Sequence, residues 1–268
     1  MLDSMLIGCH VPQKDPIGEA SAAGADIAQI MLGDPQKWTA PEVMSPGGAS
    51  ALRAAAADAG IGLVVHAAYL INVVSANNRV RIPSRQLLQK TLNTAAEIDA
   101  LGVVVHGGHL TAEDAPDSGI ENWRKAIEGL EFPVPLWIEN TAGGNYAMAR
   151  TLDAWRRLWA GVAAADTGGH IGVCLDTCHA YTAGLDLTTV VDDLRAITGR
   201  IDLVHANDSR DAAGSGADRH ANIGQGQIDP PLIAAVVKQA NAPAVVETPG
   251  PVEAWATDIA YLRAESNK

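Results

Sequence analysis

Cysteine, basic side chains and long apolar runs are all scarce in this chain, and each scarcity closes off a class of protein. The three cysteines, Cys9, Cys174 and Cys178, are too few for a disulfide framework or a thiolate-only zinc site. Cys174 and Cys178 read as small buried hydrophobes, and the chain as a protein of the reducing cytoplasm. The 19 Lys and Arg residues against 31 Asp and Glu leave a net charge of −12, which argues against a broad basic surface for nucleic acid. A local basic patch stays open, because Arg79, Arg81 and Arg85 fall together in NNRVRIPSR. The most apolar stretch, GLVVHAAYLINVV, carries His66 and Asn72 and is shorter than the ~20 residues that a membrane span requires. No membrane partner is expected. The opening MLDSMLIGCH has neither the basic start nor the apolar length of a secretory signal. Ser/Gly linkers and low-complexity tracts are missing too, whereas Ala-rich stretches such as ALRAAAADAG recur throughout. With 47% hydrophobic residues in 268 positions, one domain spanning 1–268 is the expectation. Nothing reads as an assembly element, so the expected state is a monomer.

What the chain does have is a regular alternation. Short apolar or β-branched runs lie near 5–11, 26–32, 61–67, 102–106, 134–139, 171–176, 201–206 and 243–247. Helix-like segments fall between them near 47–60, 84–100, 118–130, 151–164, 188–198, 230–240 and 252–264. Strands alternating with helices imply right-handed βαβ crossovers and a parallel sheet. Eight such units in this length match a (β/α)8 TIM barrel, with an open doubly wound sheet as the alternative.

The ends of the runs separate the two. GLVVH ends in His66, VVVH in His106, PLWIE in Glu139, VCLD in Asp176 with His179 close behind, DLVH in His205 and AVVE in Glu247, and DRHAN adds Asp218 and His220. In an open sheet, six strand ends spaced at ~4.8 Å would spread these groups over roughly 25 Å. A barrel brings them to one mouth, where barrel active sites sit. The expected fold is therefore a single TIM barrel with a metal site at the C-terminal mouth of its strands. One catalytic zinc takes about three protein ligands, so nine imply at least two metals and about three. Imidazole and carboxylate without thiolate suit zinc, with manganese or iron as alternatives. Metals ~3.5–4 Å apart clamp the oxygens of a phosphodiester, and three divalent cations would add about six positive charges to the cleft. A sugar isomerase or epimerase with one or two metals is a rival, as is a non-catalytic DNA- or metal-binding module.

The sequence around these donors is more specific. LVVHAAYLINV, VVVHGGHL, IENTAGG, CLDTCHAYTAG, VHANDSRDAAGSGADRHANIGQG and VVETPG resemble, in this order, the motifs of the endonuclease IV family. These are zinc-dependent apurinic/apyrimidinic endonucleases of base-excision repair. The similarity runs from GCHVP to the last helical segment. The resemblance implies a barrel holding three Zn2+ ions, with Mn2+ or Fe2+ replacing part of the complement. His66 and His106 would bind one ion and share Glu139 with a second. Asp176, His205 and Glu247 would complete the second, and His179, Asp218 and His220 would hold the third. Glu139 and Glu247 would also act in catalysis by orienting the attacking hydroxide. The implied substrate is double-stranded DNA containing an abasic site, cut on its 5′ side to leave a 3′-hydroxyl and a 5′-deoxyribose phosphate. Trimming of blocked 3′ ends is implied as well.

The resemblance also nominates DNA-contacting residues. Tyr69 in HAAYLIN matches an aromatic that fills the gap left by a flipped nucleotide. In the second wedge loop, LGDPQKW at 32–38, Gln36 stands where the family often has a basic residue, and Lys37 follows it. His109 and His10 are candidates for phosphate contact or ligand support, and Arg219 is expected to face the DNA backbone. Ala67 follows His66 where the family often has an acidic residue, so a carboxylate that would orient that imidazole is missing.

Overall fold

The computed structural model describes residues 5–115 and 117–266. Eight strands close into a barrel of parallel neighbours: β1 (Ile7–His10), β2 (Ile27–Met31), β3 (Gly62–His66), β4 (Val103–His106), β5 (Leu136–Glu139), β6 (Ile171–Asp176), β7 (Leu203–His205) and β10 (Ala244–Val246). Around the barrel they follow chain order, and β10 closes against β1 through the pairs Ile7–Ala244, Gly8–Val245 and Cys9–Val246. Helices α2 (Gly48–Ala59), α3 (Asn78–Glu97), α4 (Ser118–Gly129), α5 (Leu152–Ala165), α7 (Val190–Thr198), α8 (Pro230–Ala240) and α9 (Val252–Ser266) match the segments expected from periodicity. Among the described residues, two short helices and one hairpin were not anticipated: α1 (Pro16–Ala22), α6 (Thr177–Ala183) and the antiparallel pair β8 (Asp208–Ser209) with β9 (His220–Ala221).

Helix α3 starts at Asn78, six residues before the expected boundary, because Asn77 caps it by accepting from the Arg79 amide at 2.9 Å. This start reorganises the basic cluster. Arg81 donates to the Ser75 and Ala76 carbonyls at 2.7 and 3.0 Å, and Arg85 donates to the Asn122 carbonyl. Two of the three guanidinium groups therefore hold the chain's own backbone.

Period-two alternation explains where the expected ligands go. Outward-facing residues such as Leu63, Val65, Val103, Val105, Leu136 and Ile138 pack against the helices in the main core. Inward-facing Ile27, Val64, Val104, Trp137, Cys174, Leu203 and Val245 form a separate apolar plug inside the barrel. Space for Trp137 comes from two glycines: a Cβ on Gly102 or Gly172 would lie 2.7 or 2.6 Å from its ring atoms. Two residues further along each strand the inward position is polar. This second layer is His10, Gln29, His66, His106, Glu139, Asp176, His205 and Glu247. An apolar floor thus carries a polar ring at the C-terminal mouth.

Candidate metal centre

Glu139 is at the middle of the ring and is fully buried. Its Oε2 lies 3.2 Å from His66 Nε2 and 3.3 Å from His106 Nε2, while Oε1 lies 3.1 Å from His205 Nδ1 and 3.2 Å from His179 Nδ1. Four imidazoles thus face one carboxylate. Burial opposes its ionisation, but His205 and His106 outweigh this and hold the carboxyl well below the usual range. Glu247 approaches His205 Nδ1 at 3.2 Å, and its carboxyl is held down at about 2 by His205 and His66 against the opposing effect of burial.

Local backbone chemistry delivers the next group. Asp176 ends β6 and is also the N-cap of α6, accepting from the His179 amide at 2.6 Å. The cap turns the chain so that His179 points back into the mouth. Its Nε2 lies 3.0 Å from Asp218 Oδ1, and His220 Nε2 lies 3.3 Å from the same oxygen. Hairpin β8–β9 positions His220. Asp208, not anticipated from sequence, secures the loop beyond it by accepting from the amides of Gly224, Gly226 and Ile228 at 2.9–3.0 Å. A side chain at Gly226 would collide with this carboxylate, its Cβ lying 2.4 Å from Asp208 Oδ1.

Three groups have donor atoms within 4.8 Å of one another: His66, His106 and Glu139; Glu139, Asp176, His205 and Glu247; and Asp176, His179 and His220. Eight of the nine expected ligands fall in these groups. The ninth, Asp218, is half-exposed and reaches both His179 and His220, while Asp176 lies 3.6 Å from His220 Nε2. The donors fit metal ions. His179 Nε2 and His220 Nε2 are buried without a well-formed hydrogen bond and converge on Asp218 Oδ1 at 3.0 and 3.3 Å, so both can ligate one ion beside a carboxylate once their protons are displaced. Proton loading follows the same geometry. Despite burial, facing carboxylates raise the His66, His179 and His205 imidazoles, and Asp176 and Asp218 raise His220 to about 9.

The missing acidic residue after His66 is replaced by backbone. His66 Nδ1 lies 2.7 Å from the Ala67 carbonyl, which accepts its proton and leaves Nε2 free toward Glu139. Asn140 and Asn207 play similar parts and were not anticipated either. Asn140 donates to the Asp176 carbonyl and accepts from its amide; Asn207 donates to Asp176 Oδ2 at 2.7 Å and accepts from the Glu247 amide. Each follows a ligand or lies two residues beyond one, a signal present in IENT and VHAND.

The family described as Xylose isomerase-like TIM barrel matches residues 17–265. A protein named probable endonuclease 4 from Mycobacterium bovis (strain BCG / Pasteur 1173P2) is 55% identical over 259 residues, covering 97% of this chain and 98% of the relative. Endonuclease IV from Thermus thermophilus superposes with a TM-score of 0.81 at 31% identity, covering 98% of this chain and 99% of that one. The chain belongs to the endonuclease IV family. It is accordingly an enzyme, a hydrolase of the endonuclease type. A D-tagatose 3-epimerase-like protein also superposes, with a TM-score of 0.77 over 98% of this chain and 97% of that one. At 18% identity that likeness shows the shared barrel alone.

Above the ring of this endonuclease IV family member lies a cleft of about 680 Å3, lined by His10, His66, Tyr69, His106, Asp218, Arg219 and His220 among others. Tyr69 is 57% exposed and its ring centroid lies 5.5 Å from that of His66. A neighbouring cavity of about 490 Å3 joins Tyr69 to Asn72, His109 and Tyr146. His109 is tied to Asn72, which accepts from its amide at 3.3 Å and donates to its carbonyl at 2.8 Å. Arg219 reaches the cleft but is already paired with Asp211. Gln36 and Lys37 are exposed and lie outside the residues lining the cleft; Lys37 is ion-paired with Asp34 at 2.8 Å. Sequence reasoning missed Trp38 and Tyr146, each 49% exposed, and Arg210, which lines the cleft.

All three cysteines are buried, Cys174 and Cys178 as expected. Burial pushes Cys9, Cys174 and Cys178 each up to about 12. Among the described residues, no helix is long and apolar enough to cross a membrane.

Proposed function

We propose that the chain is an apurinic/apyrimidinic endonuclease acting on double-stranded DNA. It hydrolyses the phosphodiester 5′ to an abasic sugar, leaving a 3′-hydroxyl and a 5′-deoxyribose phosphate, and it trims blocked 3′ ends. Three Zn2+ ions would be held by His66, His106 and Glu139; by Glu139, Asp176, His205 and Glu247; and by His179, Asp218 and His220. The observation that carries this reading is Glu139, whose two oxygens face four imidazoles at 3.1–3.3 Å and so suit a ligand shared between ions. Bound divalent cations would supply Lewis acidity toward water and neutralise charge on the phosphoryl oxygens.

The chain's own groups do the rest. Glu139 and Glu247, both held ionised in the ring, orient the attacking water. The apolar plug beneath excludes bulk water from the side opposite the cleft, which strengthens the electrostatics above it. Tyr69 stands beside the ring with an exposed face suited to stacking where a nucleotide has left the duplex. Its hydroxyl stays neutral, raised to about 12 by partial burial and by Glu247. Arg219 and Arg210 offer charge to the backbone at the cleft wall, and His109 offers a further polar contact. Gln36 and Lys37 extend the surface beyond the cleft as a second point of entry into the duplex.

The test is a duplex containing one tetrahydrofuran abasic analogue, which cannot undergo β-elimination. Incision on the 5′ side by the metal-loaded protein is expected. No incision by that protein would overturn the proposal.

A further inference from the structure

Each of the eight barrel strands, or for β10 the residue directly after it, contributes one polar side chain to the ring, and seven of the eight are imidazoles or carboxylates. The exception is Gln29 on β2, whose side chain is completely buried. A buried primary amide has two donors and an acceptor to satisfy, and this one satisfies them on the ring itself. Its Nε2 lies 2.6 Å from Glu247 Oε1 and 3.1 Å from His10 Nδ1, and its Oε1 lies 2.8 Å from His205 Nε2.

Chemistry fixes the direction of each contact. The ionised Glu247 carboxylate can only accept, so the amide must present its NH2 group to it. The amide oxygen then faces His205 Nε2 and must accept a proton from it. That fixes one imidazole proton on Nε2 and makes Nδ1, 3.1 and 3.2 Å from Glu139 Oε1 and Glu247 Oε2, the nitrogen that an ion would ligate by displacing its proton. A reversed amide would set oxygen against oxygen at Glu247 and drive the proton onto Nδ1, where it would block metal ligation. His10 supports the arrangement by accepting the second N–H.

We propose that Gln29 is a positioning residue of the metal centre, holding His205 in the Nε2–H tautomer and fixing one oxygen of Glu247 so that both ligands are prepared for the same ion. The proposal rests on the reading of His205 and Glu247 as metal ligands. Partners that orient metal-binding imidazoles typically change metal affinity or activity by about 10- to 100-fold when lost.

The experiment compares the zinc-loaded wild type with Gln29→Met, which keeps the volume and loses every hydrogen bond, and Gln29→Glu, which keeps the acceptor and loses the donors. Chelator competition measures zinc affinity, and steady-state incision of an abasic duplex separates kcat from KM. Gln29→Met is expected to release one zinc equivalent about 10- to 100-fold more readily, with kcat falling by a similar factor and KM within about threefold. Gln29→Glu is expected to recover the affinity but not kcat, since the N–H that orients Glu247 is gone. Zinc affinity and kcat within twofold of wild type in Gln29→Met, or equal impairment of both variants, would overturn the proposal. Should Gln29→Met fail to fold, long-range 1H–15N correlation in zinc-loaded wild type labelled at histidine decides: a proton on His205 Nε2 with Nδ1 bare supports the proposal, and a proton on Nδ1 with Nε2 bare overturns it. Wild type that binds zinc without cutting abasic DNA would sink the proposed function, leaving affinity and tautomer to judge Gln29.

Discussion

The floor and the rim of the mouth are built on opposite principles. On the floor, Glu139, Asp176 and His205 sit at the ends of β5, β6 and β7, fully buried over an apolar plug, and each is held by neighbours in the ring. On the rim, Tyr69, Gln36, Lys37 and Arg219 ride on loops, are exposed, and meet few groups besides nearby charges such as Asp34 and Asp211. Rigid strands suit chemistry that tolerates little displacement, whereas loops suit contact with a substrate that must bend and flip. Floor changes should therefore abolish turnover, while rim changes should weaken binding and leave the metals in place.

The sharpest contrast comes from Glu139→Gln. Removing the charge that faces four imidazoles is expected to lower kcat by on the order of 10³-fold or more and to reduce bound zinc. Near-normal turnover with full metal content would erase the distinction between floor and rim. Metal removal follows in size. A ligand that binds the native state at 100 to 1,000 times its Kd stabilises by about 3–4 kcal/mol, so stripping zinc with a chelator should lower Tm by roughly 5–15 °C. A Tm unmoved by chelation would contradict a structural contribution from the cluster.

Protons sharpen the same side of the comparison. With its imidazole raised to about 9, His220 is protonated at pH 7 in the metal-free chain, and His179 and His205 are shifted the same way. Metal must displace those protons. Zinc uptake in weak buffer at pH 7 is therefore expected to release protons, and apparent affinity should rise as pH increases from 7 to 9. An affinity flat across that range would mean that the imidazoles are already neutral.

On the rim, Tyr69→Ala is expected to raise KM for an abasic duplex by roughly 5- to 150-fold, the worth of one base-stacking contact, with zinc content unchanged. Loss of zinc in that variant would move Tyr69 from rim to floor. The smallest effect belongs to the second wedge loop. Lys37→Ala should cost less than tenfold in affinity and reduce the salt slope of binding by less than one, because Asp34 already neutralises much of that charge. Gln36→Ala should leave the slope alone.

The floor was legible from sequence because strand ends announce themselves. A short apolar run that ends in His, Asp or Glu has one inward direction at its last residue, so His66, His106, Glu139, Asp176, His205 and Glu247 could be read together before any coordinates. Gln29 could not, since an amide in AQIM is no metal donor and its meaning lies in three contacts from β1, β7 and β10. Hairpin β8–β9 has two residues per strand, too few to show periodicity. Its role in presenting His220 depends on Asp208, whose partners lie 16 to 20 residues further on. The rim was legible only as residue types, because exposure and pairing set what Lys37, Arg219 and Trp38 can do, and these are tertiary facts.

The central proposal is that nine side chains around one mouth hold three metal ions. Quantitative metal analysis of the zinc-reconstituted protein tests it most directly, alongside Asp218→Ala, which removes a half-exposed proposed ligand without touching the buried ring. The account predicts about three zinc equivalents per chain in the wild type and about two in the variant. One equivalent in the wild type, or an unchanged count in Asp218→Ala, would contradict it.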